Sequence, residues 1–97
     1  MRKSILTVMI PTFDRNEILL ENLSFLLPLI PVGVKCVILD NHSQVPVYQT
    51  ISSLINHYPS VDIKVIRNNA NIGGNGNIMR CLEICETDYV WILGDDD

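Results

Sequence analysis

Three aspartates, Asp95, Asp96 and Asp97, close the chain directly after the apolar run WIL and a single glycine. Carboxylates at this spacing suit a hard divalent cation, Mg2+ or Mn2+, which binds through one or two carboxylates and shares the remaining positions with substrate phosphates. Without a cation, like charges about 4 Å apart repel by about 1 kcal/mol in water and about 4 kcal/mol at an effective dielectric near 20. The triplet is therefore either a solvated tail or one side of a cation site.

Other polar clusters follow apolar runs in the same way. Pro11, Thr12, Phe13, Asp14 and Arg15 follow one run; Asp40, Asn41, His42 and Ser43 a second; Arg67, Asn68 and Asn69 a third. Each residue alone is an ordinary turn former. The glycine-rich stretch NIGGNGN, residues 71–77, comes next. Its glycines let backbone approach a ligand closely, and the helix start behind them favours an anion such as a pyrophosphate; the alternative is that they only permit a tight turn. The stretch is not a P-loop, because no Gly-Lys-Ser/Thr ends it. It is not a dinucleotide fingerprint either, since Met79 stands where Gly or Ala is needed. Asp40 could imitate the acid that holds an adenosine ribose, but PTFDR supplies none of the glycines that such a site needs after its first strand.

The elements that must position these residues alternate. Residues 5–10 (ILTVMI) read as a strand buried on both faces. Asp14 and Glu17 have the spacing of a capping box, and Leu19, Leu20, Leu23, Leu26 and Leu27 give a helix of about 12 residues closed by Pro28. Residues 34–40 (VKCVILD) are a second strand, and Ile51, Leu54, Ile55 and Tyr58 mark a second helix ended by Pro59. A shorter, more amphipathic strand at 62–66 belongs nearer a sheet edge. A third helix carries Ile78, Leu82 and Cys85, and residues 89–93 (YVWIL) form the last strand. The order β-α-β-α-β-α-β predicts an α/β fold with a doubly wound, mainly parallel sheet and right-handed crossovers. In such sheets ligands bind beyond the carboxyl ends of the strands, where strand order reverses, and every polar cluster above falls on that edge.

Composition narrows the classes. The chain has 97 residues, 47% hydrophobic and 19% charged, as expected of one packed domain with no linker or repeat. Seven basic residues face eleven acidic ones, for a net charge of -4, and no basic stripe exists, which argues against nucleic acid as a partner. Cys36, Cys81 and Cys85 lack a CxxC spacing and read as reduced, buried small hydrophobes in a cytoplasmic protein. The apolar run Ile5–Ile10 behind the basic start, broken by Pro11, is too short for a signal peptide or a membrane span.

Four segments in register, TVMIPTFDR (7–15), VILDNHS (37–43), NANIGGNGN (69–77) and YVWILGDDD (89–97), resemble the nucleotide-binding half of family 2 glycosyltransferases of the GT-A fold. The resemblance implies transfer of a sugar from a nucleotide-diphospho-sugar donor to the hydroxyl of a saccharide or lipid-linked acceptor, assisted by Mn2+ or Mg2+. It implies a place in cell-envelope polysaccharide synthesis, on a cytoplasmic protein peripheral to the membrane at full length. Pro11, Thr12, Phe13, Asp14 and Arg15 match the segment against the nucleoside, Asp40 the acid that meets the base, and Asn41 the turn beside it. Asn71, Gly73, Gly74 and Asn77 match the stretch passing the donor. The terminal acids match the DXD motif: Asp95 toward the nucleotide, Asp96 and Asp97 toward the metal. Asp95 with Asp97 fits DXD literally, whereas a gap-free match puts the metal ligand at Asp96; both registers remain open. Where many members carry an arginine this chain has Asn77 and Ile78, with Arg80 displaced. The family's acceptor-binding part and catalytic base lie beyond Asp97, so residues 1–97 are expected to form one donor-binding domain of a partial enzyme, inactive alone.

Two other classes compete. A non-catalytic nucleotide-binding or oligomerisation module fits an incomplete sheet, whose exposed edge invites self-association. A receiver-like phosphoacceptor domain would need an acidic pair after the first strand, where Asp14 stands alone, and an acid after the third, where Arg67 stands.

Overall fold

The computed structural model describes residues 5–96. Four strands, β1 (Leu6–Thr12), β2 (Val34–Asp40), β3 (Asp62–Arg67) and β4 (Tyr89–Ile92), alternate with three helices, α1 (Asn16–Leu26), α2 (Val47–Asn56) and α3 (Gly74–Ile84). All strand pairs are parallel and the sheet order is β3-β2-β1-β4. The chain thus builds outward from β1 to β3 and then returns to the other side of β1. The alternation predicted this doubly wound α/β architecture. Asp62–Arg67 lies at a sheet edge as its amphipathic pattern predicts. Helix α1 runs directly into a 3-10 turn at Leu27–Leu29 that contains Pro28.

The period of two along the strands sorts the apolar residues into two layers. Val8 and Ile10 of β1 stand beside Cys36 and Ile38 of β2 and pack with Leu19, Leu23 and Leu27 against Val47 and Ile51 of α2. On the opposite face, Met9, Val37 and Leu39 enclose Cys81 of α3, with Ile66, Ile84, Val90 and Ile92 packed around them. Burial, with a smaller contribution from the Asp62 carboxylate, pushes the Cys36 thiol up to about 12, and burial pushes Cys81 to about 11. Both behave as the small apolar residues that the sequence suggested. Two helices cover the first face and one the second; Tyr89 and Trp91 of β4 remain exposed.

Two local expectations fail. Asp14 does not cap α1, which starts at Asn16 with Arg15 before it and no side-chain cap. Asp14 instead takes a left-handed conformation (φ 53°), and its carboxylate accepts the Gln44 amide at 2.7 Å. A tertiary partner outcompetes the local one. On α3 the inward face carries Asn77 and Cys81, while Ile78 and Leu82 lie 41% and 47% exposed. The inward stripe is half polar, so counting apolar residues selects the wrong face.

One missing hydrogen bond shapes the carboxyl edge. The Leu93 amide still donates to the Met9 carbonyl at 2.9 Å. The next rung of a parallel ladder would draw on an amide at position 11, and Pro11 has none. On its other side β1 stays paired with β2 through Thr12 and Asp40. The sheet therefore parts between β1 and β4, at the point where strand order reverses.

Leu23→Ala, at a fully buried position, is expected to cost about 2–5 kcal/mol in urea unfolding. Leu82→Ala should cost less than about 1 kcal/mol, a contrast that checks which face of α3 is buried.

Candidate functional site

Every loop at the carboxyl edge is tied to its neighbours, and Asp40 is the central tie. Its carboxylate is 1% exposed. Oδ1 accepts the Ser43 amide at 2.9 Å; Oδ2 accepts the Val47 amide at 3.0 Å and Arg67 at 2.8 Å. The Val47 amide belongs to the first turn of α2, where a carboxylate also meets the positive end of the helix dipole. Burial pushes the Asp40 carboxyl up, but the hydrogen bonds from Ser43, Val47 and Arg67 outweigh it and hold the group below the usual aspartate value.

Four asparagines fix the glycine-rich loop. Asn41 Nδ2 donates to Asn71 Oδ1 at 2.9 Å and to the Gly73 carbonyl at 3.2 Å, and its Oδ1 accepts from Asn68 and from the Ile72 amide, each at 3.0 Å. Asn68 also donates to Asn77 Oδ1 at 2.8 Å, and Asn77 donates to the Leu39 carbonyl at 3.1 Å. Asn41, Asn68 and Asn77 are buried, and although Asn68 Oδ1 has no partner among the described residues, the amide network ties this backbone to β2. Gly73 stands just before α3 at φ 83°, a conformation that glycine adopts without strain. Open space surrounds both Gly73 and Gly74 on the side where a Cβ would project, so a ligand can approach that backbone closely.

The terminal acids meet the loop after β1. Thr12 Oγ1 donates to Asp95 Oδ2 at 2.9 Å, and Asn22 of α1 donates to the Asp95 carbonyl at 2.8 Å. Arg15 bridges two acids, with Nε 3.3 Å from Asp95 Oδ1 and an Nη 3.0 Å from Asp96 Oδ2. The Asp95 side chain is 12% exposed and that of Asp96 54%. A guanidinium thus stands beside both acids. Asp97 lies outside the described residues. Among those described, no group of three or more His, Cys, Asp or Glu side chains is placed to hold a metal. The donor set still fits a divalent ion that takes most of its ligands from a phosphate: hard carboxylate oxygens, one of them exposed, already gathered around a positive charge.

The structure brings Thr12, Arg15, Asp95 and Asp96 together at the β1/β4 gap. It places Asp40, Asn41, Asn71, Gly73, Gly74 and Asn77 in a second group across β1. Phe13 is exposed on the connecting loop and Pro11 is partly buried behind it. Asp14 turns toward Ser43 and Gln44 rather than to either group. An open depression of about 640 Å3 lies beside Asp14, Arg15, Gln44 and Thr50, and one of about 320 Å3 beside Arg67, Asn68, Ile72 and Arg80. Sequence reasoning placed Arg67 and Asn68 on this edge without a role and passed over Asn22. The doubled asparagine at 68–69 was the available signal; nothing local marks Asn22.

The family model described as Glycosyl transferase family 2 matches residues 7–97. Among solved structures, a mannosyltransferase from Pyrobaculum calidifontis, in complex with GDP-Man and Mn2+, superposes with a TM-score of 0.81 at 16% identity over 99% of this chain and 28% of that one. TarS 1–349 from S. aureus gives 0.75 at 24% identity over 96% of this chain and 28% of that one. Its complex with UDP-GlcNAc gives 0.75 at 22% identity, over 95% and 26%. No curated protein matches. The likenesses place the fold as the Rossmann-like half of a GT-A enzyme, and the chain spans about 28% of the first structures' length.

Asp40→Asn is expected to cost about 2–4 kcal/mol, since Arg67 and a helix amide lose their anionic partner. A carboxyl held below its ordinary value stabilises the fold above the unfolded value near 3.9 and loses that contribution as pH falls through the folded one. Urea midpoints should therefore drop for the wild type below about pH 4, and less steeply for Asp40→Asn.

Proposed function

The chain belongs to glycosyl transferase family 2, and we propose that residues 1–97 form the donor-binding domain of a longer enzyme that transfers a sugar from a nucleoside-diphosphate donor. One observation carries this reading: a carboxylate pair, Asp95 and Asp96, held by Thr12 and Arg15 at the β1/β4 gap, on the same sheet edge as a glycine loop held open by asparagines. Acids for a cation and bare backbone for a pyrophosphate are the two complements of a nucleotide-sugar.

In this reading Asp96, the exposed member, ligates Mn2+ or Mg2+ together with Asp97, while Asp95 stays fixed on Thr12 and faces the ribose. The bound ion supplies Lewis-acid neutralisation of the departing diphosphate. Gly73 and Gly74 let the chain pass close to the donor, and the exposed Phe13 ring offers a flat face to the base. Asp40 serves as the base acceptor only when Arg67 releases Oδ2, because the Ser43 and Val47 amides hold the carboxylate from behind. The acceptor, saccharide or lipid-linked, and the catalytic base belong to residues beyond Asp97, in a protein acting at the cytoplasmic face of the membrane. Among the described residues no helix is long and apolar enough to cross a membrane.

A second reading rests on the exposed Tyr89 and Trp91 along edge strand β4: a module that self-associates and binds no donor. Thermal unfolding of the chain with a panel of nucleoside diphosphates, with and without Mn2+, separates the two. One diphosphate at about 100 times its Kd should add about 2.7 kcal/mol, raising Tm by several degrees with Mn2+ present. Asp96→Asn should abolish the Mn2+-dependent part of that shift. A folded protein that no nucleoside diphosphate stabilises would overturn the donor-binding reading, and a concentration-dependent mass in sedimentation would then favour the module.

A further inference from the structure

We propose that Arg15 is the resident counter-ion of the metal site: it occupies the carboxylates in the metal-free chain, and a divalent ion enters only as the guanidinium leaves Asp96. The inference rests on the donor-binding reading for the identity of the site and goes beyond it in giving the site a closed and an open state.

The geometry separates the two carboxylates. Asp95 is anchored three ways: by the Thr12 hydroxyl, by Arg15 Nε and, through its carbonyl, by Asn22. Among the described residues Asp96 has one side-chain partner, the Arg15 Nη at 3.0 Å, and its side chain is 54% exposed. A dication at Asp96 would stand beside a guanidinium that already holds Oδ2, and the repulsion between the two cations weakens metal binding for as long as Arg15 stays there. The Arg15 side chain is itself 42% exposed, so it has room to turn away while Nε keeps or yields Asp95.

The released guanidinium does not return to water alone. It remains at the β1/β4 gap, where a diphosphate bound to the ion would present oxygens to it, and arginine pairs with phosphate through its planar fork. Metal and diphosphate then bind cooperatively: metal alone must displace a partner, whereas metal with diphosphate offers that partner a new one. In effect Arg15 keeps Asp96 neutralised until a donor brings both the ion and the anion.

The test uses the 97-residue chain with Mn2+ alone, free ion being followed by electron paramagnetic resonance. Arg15→Gln should bind Mn2+ about three- to tenfold more tightly than wild type, with Arg15→Lys in between. A second readout follows the Arg15 Nε–Hε resonance by NMR during a Mg2+ titration. It should shift in the wild type and stay fixed in Asp96→Asn. Adding the nucleoside diphosphate selected by thermal unfolding should then tighten Mn2+ binding by at least about fivefold in the wild type, and by less in Arg15→Gln. Equal or weaker Mn2+ binding by Arg15→Gln, or an Arg15 resonance unmoved at saturating Mg2+, overturns the proposal. If the Mn2+-only results hold and no nucleoside diphosphate binds any form, metal exclusion by Arg15 stands and the donor reading falls.

Discussion

The carboxylate of Asp40 is the constraint on which the carboxyl edge depends. It lies where β2 ends, and it joins three elements with one ionised group: the turn at Ser43, the first turn of α2 at Val47, and the end of β3 at Arg67. A buried charge is tolerated only when its lone pairs are filled, so the loops cannot wander without uncovering it. Asn41, the next residue, extends the same logic to the glycine loop through Asn68, Asn71 and Asn77. The loop is thus held open by polar side chains behind it, and its front is left as bare backbone.

Two arginines complete the electrostatics of that edge. Arg67 covers Asp40 and Arg15 covers Asp95 and Asp96. The net charge of -4 therefore describes the chain poorly where it matters, because its most acidic stretch is partly neutralised from within. In both pairs the arginine is the more exposed partner of a better-buried acid, Asp40 or Asp95. A ligand arriving at either place meets a preformed acceptor and a cation able to move.

Much of the architecture was legible in the sequence because buried parallel strands are written as continuous apolar runs. Residues 34–40 are read to the residue, since the stretch from Val34 is apolar apart from Lys35 and Asp40 ends it. What the sequence hid was tertiary. Asp14 has a local capping partner in Glu17, yet the loop after β2, some thirty residues away, captures it. The inward face of α3 contains a buried asparagine, so apolar counting turned toward Ile78 and Leu82 instead. The site residues fall on the predicted edge, but their division into a β1/β4 group and a glycine-loop group depends on strand order, which apolar periodicity does not encode. Asn22 came to light only in three dimensions, since it sits mid-helix and contacts a carbonyl more than seventy residues on.

Pro11 bears on how fast anything can bind. Many crevices open by breaking contacts, and that step limits association. Here the separation of β1 from β4 is set during synthesis, by an imino acid that never offered an amide to the ladder. The pairing of the two strands ends at Met9 and Ile92, so a ligand at this edge has no ladder hydrogen bond from position 11 to break. What stands in a ligand's way at this edge is instead a pair of side chains, Arg15 and Asp96, held to each other by one contact of 3.0 Å.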